Sequence, residues 1–193
     1  MDLAKMSATL ELSSDLEDNN FRIWRQTRTG LLSHPLEDNA ARAHLAAGIY
    51  VQMALKPHIV HIVGHTEAHH AATAEDVIDA SRMARRAIEN ALAGQPNMLM
   101  DPMLIRRKDE LVKESRLTLQ AIRKLYSGKE GDPFTSPENL AEAVKKGILD
   151  APHLKNNQFA RGEIATRILN GACEVVDQNG KKLTEADRLK KFI

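Results

Sequence analysis

The sequence predicts a helix-rich α/β protein: two strand–helix units of a parallel sheet, followed by a mainly helical tail with a small hairpin. Three observations predict it. Residues 58–64, His-Ile-Val-His-Ile-Val-Gly, form a short β-branched run of the kind a parallel sheet buries on both faces. An alternating run at 21–28 precedes it, with an alanine-rich helical stretch between the two, so strand and helix alternate. Beyond residue 97 the apolar spacing becomes helical, with long charged stretches. The organisation expected is therefore 1–96 for the strand–helix region and 97–193 for the tail.

Each element has its own reason. Residues 1–20 carry weak helical spacing around Leu10, Leu12 and Leu16, and Asp18-Asn19-Asn20 ends it as a turn. Phe21–Arg28 alternates as a strand does, and Gly30 and Pro35 mark a loop. In 38–53, Ala41, Leu45, Ile49 and Met53 recur every four residues and make one apolar helix face, which Pro57 closes off. Thr73 is a good N-cap for a helix over 74–92, with Glu75 and Asp76 where negative charge suits the helix dipole. Val77, Ser81, Ala84, Ile88 and Leu92 form its expected inward face, and Gly94 is placed to end it.

In the tail, 101–126 reads as one long helix with Leu111, Leu119 and Ile122 in register, and 128–133 as a linker. Ser136-Pro137 opens a helix to about Lys146. A loop is expected over 150–159 and a short helix over 161–170. A hairpin is expected over 173–183, turning at Asn179-Gly180, with a last short helix after Thr184.

Composition excludes several classes of function. The 193 residues carry 27 basic and 26 acidic side chains, so no overall field draws in nucleic acid or an anionic membrane. Only 4% of residues are aromatic, too few for a base-stacking platform. The single cysteine, Cys173, rules out an internal disulfide and reads as a small core residue. No apolar run approaches the roughly 20 residues of a membrane span. The acidic start lacks the basic and apolar blocks of a signal peptide, so a cytoplasmic protein is expected.

Chemistry concentrates after the second strand. Five of the eight histidines fall between positions 58 and 70. The segment 64–70 holds His65, Glu67, His69 and His70 where parallel sheets place their ligands, at the carboxyl end of a strand. Imidazole titrates near neutrality, and a carboxylate can orient it or take a proton. His58 and His61 read as structural histidines. The four side chains His65, Glu67, His69 and His70 also admit a zinc reading, although their spacing is not that of the helical zinc motifs, and with it a metal-dependent hydrolase. Arg25 and Arg28, at the other strand end, are candidates for holding a carboxylate or phosphate, or for pairing with Glu37 or Asp38.

The order of these features is similar to that in a known family. Residues 41–92 resemble the last strand–helix units of the glutamate mutase E subunit, and residues 101–122 its following long helix. Residues 140–168 resemble that subunit's tail, through Gly147, Asp150 and Pro152, then Asn157 and Gly162. The likeness spans about 21–177 and rests on order and spacing more than on one sharp motif.

The resemblance implies the last two units of a TIM barrel that closes onto adenosylcobalamin held by a separate subunit, in a radical carbon-skeleton mutase (an isomerase). It implies that Glu67 contacts the adenosine ribose, with His65 beside it as a second catalytic and cofactor-facing residue. The resemblance itself carries over Glu67 alone; from their place in the chain, His69 and His70 are expected to be accessory to the cofactor, and Arg25 and Arg28, at the neighbouring strand end, to face the substrate. The family's lysine before that glutamate has no counterpart here, Gly64 or His65 standing in its place, and the cobalamin-binding Asp-x-His-x-x-Gly signature is absent. The substrate-holding arginines of the family lie on strands this chain does not contain.

A barrel needs eight strands and about 250 residues. Two strands call for a barrel-completing subunit, for self-association, or for a longer chain from which these residues are excised, and a cobalamin-binding subunit besides. A non-catalytic structural subunit of a cobalamin- and pyridoxal-phosphate-dependent aminomutase is the related alternative, ranked lower because no strand-end lysine is placed for a Schiff base.

Overall fold

The computed structural model describes residues 2–30 and 34–193. Positions 31–33, in the loop expected between Gly30 and Pro35, lie outside the described residues. The chain is helix-rich α/β and forms two compact units, Asp2–Arg106 and Arg107–Ile193.

The first unit runs α1 (Asp2–Ser14), β1 (Gln26–Arg28), α2 (Asp38–Gln52), β2 (Ile59–His61) and α3 (Ala74–Gly94). Strands β1 and β2 pair in parallel, Gln26 with Ile59, Thr27 with Val60 and Arg28 with His61. Helix α2 is capped by Glu37, whose carboxylate accepts from the N–H groups of Asn39 and Ala40. Helix α3 opens on a full capping box: the Thr73 hydroxyl accepts from Asp76 N–H, and the Asp76 carboxylate accepts from Thr73 N–H. The core lies between α2 and α3, where Leu45 and Ile49 meet Ala80, Ala84 and Ala87, with Val60 and Ile62 packed beneath. Fully burying Leu45 and Ile49 contributes about 1.5–3 kcal/mol each.

Three expectations are corrected here. β1 is three residues long, Gln26–Arg28: the Arg25 carbonyl accepts from the N–H groups of His58 and Ile59, but the ladder goes no further back toward residue 21. β2 is not buried on both faces: Ile59 is 48% exposed and His61 is exposed, because helices cover only the side that Val60 and Ile62 face. The inward face of α3 is the alanine stripe Ala80, Ala84, Ala87 and Ala91, while Val77 and Leu92 point outward at 55% and 75% exposure. Small side chains let two helices approach closely, and that contact outweighs the greater hydrophobicity of the outer residues.

The second unit holds most of α4 (Pro102–Leu125), then α5 (Pro137–Lys146), β3 (Ala165–Leu169), β4 (Ala172–Val176) and α6 (Glu185–Leu189). Its core gathers Ala121, Ile122, Ala143, Ile148 and Leu189. Leu119, expected inward, is 39% exposed. Helix α5 has the Ser136 cap and Pro137 start read from the sequence, and ends on Gly147 at φ +78°. The helix expected over 161–170 is instead strand β3, paired antiparallel with β4. Asn170-Gly171, both at positive φ, make the tight turn. The Asn179-Gly180 turn exists as well, but supports only a single bridge, Val176 to Lys182.

Cys173 is exposed, not a core residue. The alternation of β4 turns Glu174 inward instead, where Arg107 meets its carboxylate at 3.1 Å and Lys182 at 3.0 Å.

Candidate functional site

The carboxyl ends of β1 and β2 meet the start of α2 at one edge of the first unit. Thr27 and Thr29 come from β1 and its continuation, and His34 from the following loop. Asp38 and His44 come from α2, and His65, Thr66 and Glu67 from the turn after β2. Thr27, Thr29, His34, His65 and Thr66 are all more than nine-tenths buried. Yet the three hydroxyls and all four imidazole nitrogens of His34 and His65 lack a hydrogen-bond partner among the described residues. Buried polar atoms are normally paired, and each one left unpaired costs about 1–3 kcal/mol. Such a concentration makes this edge the candidate site.

The local geometry follows from the turn. The N–H groups of His69 and His70 both donate to Thr66 O at 2.9 Å, winding 66–70 into one helical turn. Glu67 is exposed, and its Oε1 accepts the Gly64 N–H at 2.8 Å, which fixes the carboxylate over the strand end. His65 points the other way: its side chain is fully buried, with Nε2 3.8 Å from Asp38 Oδ1. His34 packs edge-on against His44, with ring centroids 5.1 Å apart. Burial, then the neighbouring imidazoles of His44 and His65, push the His34 pKa down, against an upward pull from Glu67.

His69 and His70 are exposed, share a hydrogen bond between their Nδ1 atoms at 2.9 Å, and lead to Asp76 Oδ2, 3.5 Å from His70 Nε2. The Thr73 N–H and hydroxyl, and then His70, hold the Asp76 carboxyl below its usual range. No group of three His, Cys, Asp or Glu side chains among the described residues converges to hold a metal ion, so the four side chains of the zinc reading are not brought together.

The two arginines part company. Arg28 closes β1 on its exposed side, whereas Arg25 precedes β1 and stands at the amino end of the sheet, away from Glu67. Neither pairs with Glu37, which caps α2, or with Asp38, which pairs with Arg42 at 2.8 Å. His58 is structural: its Nδ1 accepts the Arg25 N–H at 3.0 Å. His61 lies exposed on the bare face of the sheet.

Sequence reasoning missed His34, Thr27 and Thr29. A lone histidine in a loop carries no periodic signal, and threonines inside a strand read as propensity. No helix among the described residues is long and apolar enough to cross a membrane. Comparison with known protein families returns no match, and neither does comparison with proteins of curated function.

Proposed function

We propose that this chain supplies the last two strand–helix units of an adenosylcobalamin-dependent carbon-skeleton mutase barrel, completed by another chain. The observation that carries the reading is the first unit's geometry. A parallel strand pair is covered by helices on one face only, and a dense polar edge sits at its carboxyl ends. A barrel sector has this layout, with helices outside and the site at the carboxyl face.

The residues fit the adenosyl end of the cofactor in part. Glu67 is exposed and oriented by Gly64 N–H, as a carboxylate accepting from ribose hydroxyls needs to be. His65, buried behind it, acts by holding the turn and not by touching the ligand. The exposed imidazole of His69, hydrogen-bonded to His70 through Nδ1, is near in sequence and would flank it. The corrin belongs on a separate subunit. When bound, the cofactor supplies a carbon-centred radical by homolysis of its carbon–cobalt bond. The role of this chain is to bind, orient and exclude water.

The test is co-expression of the tagged chain with the products of its neighbouring reading frames. The expected result is a complex that takes up adenosylcobalamin, read by visible absorbance, with Glu67→Ala lowering mutase turnover at least about tenfold, the equivalent of about 1.4 kcal/mol. Failure to recruit either a barrel subunit or a cobalamin protein overturns the reading.

A further inference from the structure

A cavity lies at the end of the sheet opposite the polar edge. It holds about 540 Å³ and opens where β1 and β2 begin. Leu10 and Ser14 of α1 form one wall, and Ile23, Trp24 and Arg25 the other, with His58 at the start of β2. The volume lies within the roughly 300–1,000 Å³ usual for small-molecule sites.

Its chemistry is specific. The Trp24 indole is 70% exposed, a large apolar ring left in water. It is held in place rather than loose, meeting the His58 ring edge-on at 5.0 Å between centroids. Next to it, Arg25 has a buried Nε with no hydrogen-bond partner. That Nε is closed to a ligand as it is to water, but Arg25 also lines the cavity, and a carboxylate is the acceptor that fits the planar fork of a guanidinium. Arg22 lines the same cavity as a second cation. The one carboxylate present, Glu17, uses Oε1 to accept the Ile23 N–H at 2.9 Å, so it braces the wall that carries Trp24. Two guanidinium groups against one carboxylate leave the cavity cationic, and its lining is otherwise mainly apolar.

We infer that this cavity binds a small aromatic carboxylate, its ring against Trp24 and Leu10 and its carboxylate on Arg25 with Arg22. The site is separate from the polar edge that carries Glu67, because parallel strands place Arg25 and His58 at their amino ends. The inference does not depend on the mutase reading, and no cobalamin enters its test.

Trp24 is the only tryptophan in the chain, so its fluorescence reports on this cavity alone. The full chain is titrated with benzoate, cyclohexanecarboxylate and inorganic phosphate. Benzoate is expected to quench or shift the emission saturably, with half-saturation below about 1 mM, the equivalent of about 4 kcal/mol of binding. Cyclohexanecarboxylate, which cannot stack, is expected to bind more weakly, and phosphate not to saturate. Arg25→Gln should weaken benzoate at least about tenfold, a loss of about 1.4 kcal/mol. Ser14→Leu, which fills the cavity while leaving Arg25 in place, should do the same, and it carries the test if Arg25→Gln does not fold. A benzoate response that stays linear overturns the proposal, as does one unchanged in the folded variants. Phosphate binding as tightly as benzoate also overturns it, since that describes a bare anion site.

Discussion

Replacing Gly162 by alanine should destabilise the second unit far more than one added methyl group suggests. Gly162 sits at φ +59°, and a Cβ there would lie 2.4 Å from both Cα and N of Lys155 and 2.6 Å from the carbonyl carbon of Leu154. These are backbone atoms, so no side chain can swing aside. The left-handed conformation costs an alanine about 1–2 kcal/mol. Relieving the overlap costs about 1–3 kcal/mol more.

The displacement also strikes a clasp. Asp150 accepts the N–H groups of Gly162 and Glu163, each at 2.8 Å, closing the loop between them. Burial raises the Asp150 carboxyl, but the N–H groups of Glu163, Gly162 and Ala151 outweigh it and hold the pKa below the usual range. Together these effects put Gly162→Ala at about 3–5 kcal/mol. Gly171→Ala is the control: its φ is +77°, but nothing lies within 4 Å of the added methyl, so only the conformational cost of about 1–2 kcal/mol applies. Urea unfolding followed by circular dichroism separates them. With a slope of about 1–3 kcal/mol per molar, Gly162→Ala should lower the midpoint by more than about 1 M. Equal shifts for the two variants would refute the argument that backbone contact, and not glycine's conformation alone, sets the cost.

Two further outcomes follow from buried charge. Arg107→Ala should cost about 3–5 kcal/mol of unfolding free energy, because it leaves Glu174, whose side chain is 10% exposed, with Lys182 alone. Adding Glu174→Leu should recover much of that loss, and a double variant no more stable than Arg107→Ala would count against the pair. The first unit should also lose stability in mild acid. The folded pKa of His34 lies below its unfolded value of about 6.5, so the unfolded chain binds the proton more readily. The contribution is complete above about pH 6.5 and falls as pH drops below it. His34→Gln should flatten the dependence of Trp24-monitored unfolding midpoints between about pH 5 and 7, and an unchanged slope would show that another group is responsible.

Legibility in the sequence followed the range of the interactions involved. Caps are local chemistry, and Thr73 with Asp76, Ser136 with Pro137, and Thr184 open α3, α5 and α6 as their residue types require. Both parallel strands were also legible in outline, though shorter than their apolar runs. The inward face of α3 was legible at Ala84 and Ile88 but not as a whole, because ranking by hydrophobicity favours Val77 and Leu92, whereas close contact with α2 selects alanine. Strand β3 was misread because Ala-Thr-Arg-Ile-Leu also suits a helix. Its pairing rests on the Asn170-Gly171 turn, a stronger hairpin signal than the Asn179-Gly180 turn chosen. At the candidate site, Glu67 and His65 stood out through the crowding of histidines. His34 did not, because only the folded chain brings together residues 31 positions apart, His34 and His65, with His44 between them in sequence.

The positions that carry the family resemblance in the tail need separate weighing. Gly147 ends α5 in the left-handed conformation, and Asp150 clasps Gly162 and Glu163. Asn157 Oδ1 accepts the Phe159 N–H at 2.8 Å. Each has a sufficient reason within its own unit, so together they argue for a shared loop geometry and not for a shared reaction. The functional argument rests instead on a mismatch in the first unit. The run Ile59–Val63, of which β2 is the first three residues, carries no Asp, Glu, Lys or Arg and suits a strand buried on both faces, and nothing in it protects an open edge. Yet one face is bare, and Ile59 is left half in water. Completing its burial on a partner would add about 1 kcal/mol for that side chain alone, before any backbone pairing along the free edge. A two-stranded sheet is marginal alone, and here its uncovered face adjoins unpaired buried polar groups. The proposed barrel therefore stands or falls on a completing chain more than on any single side chain.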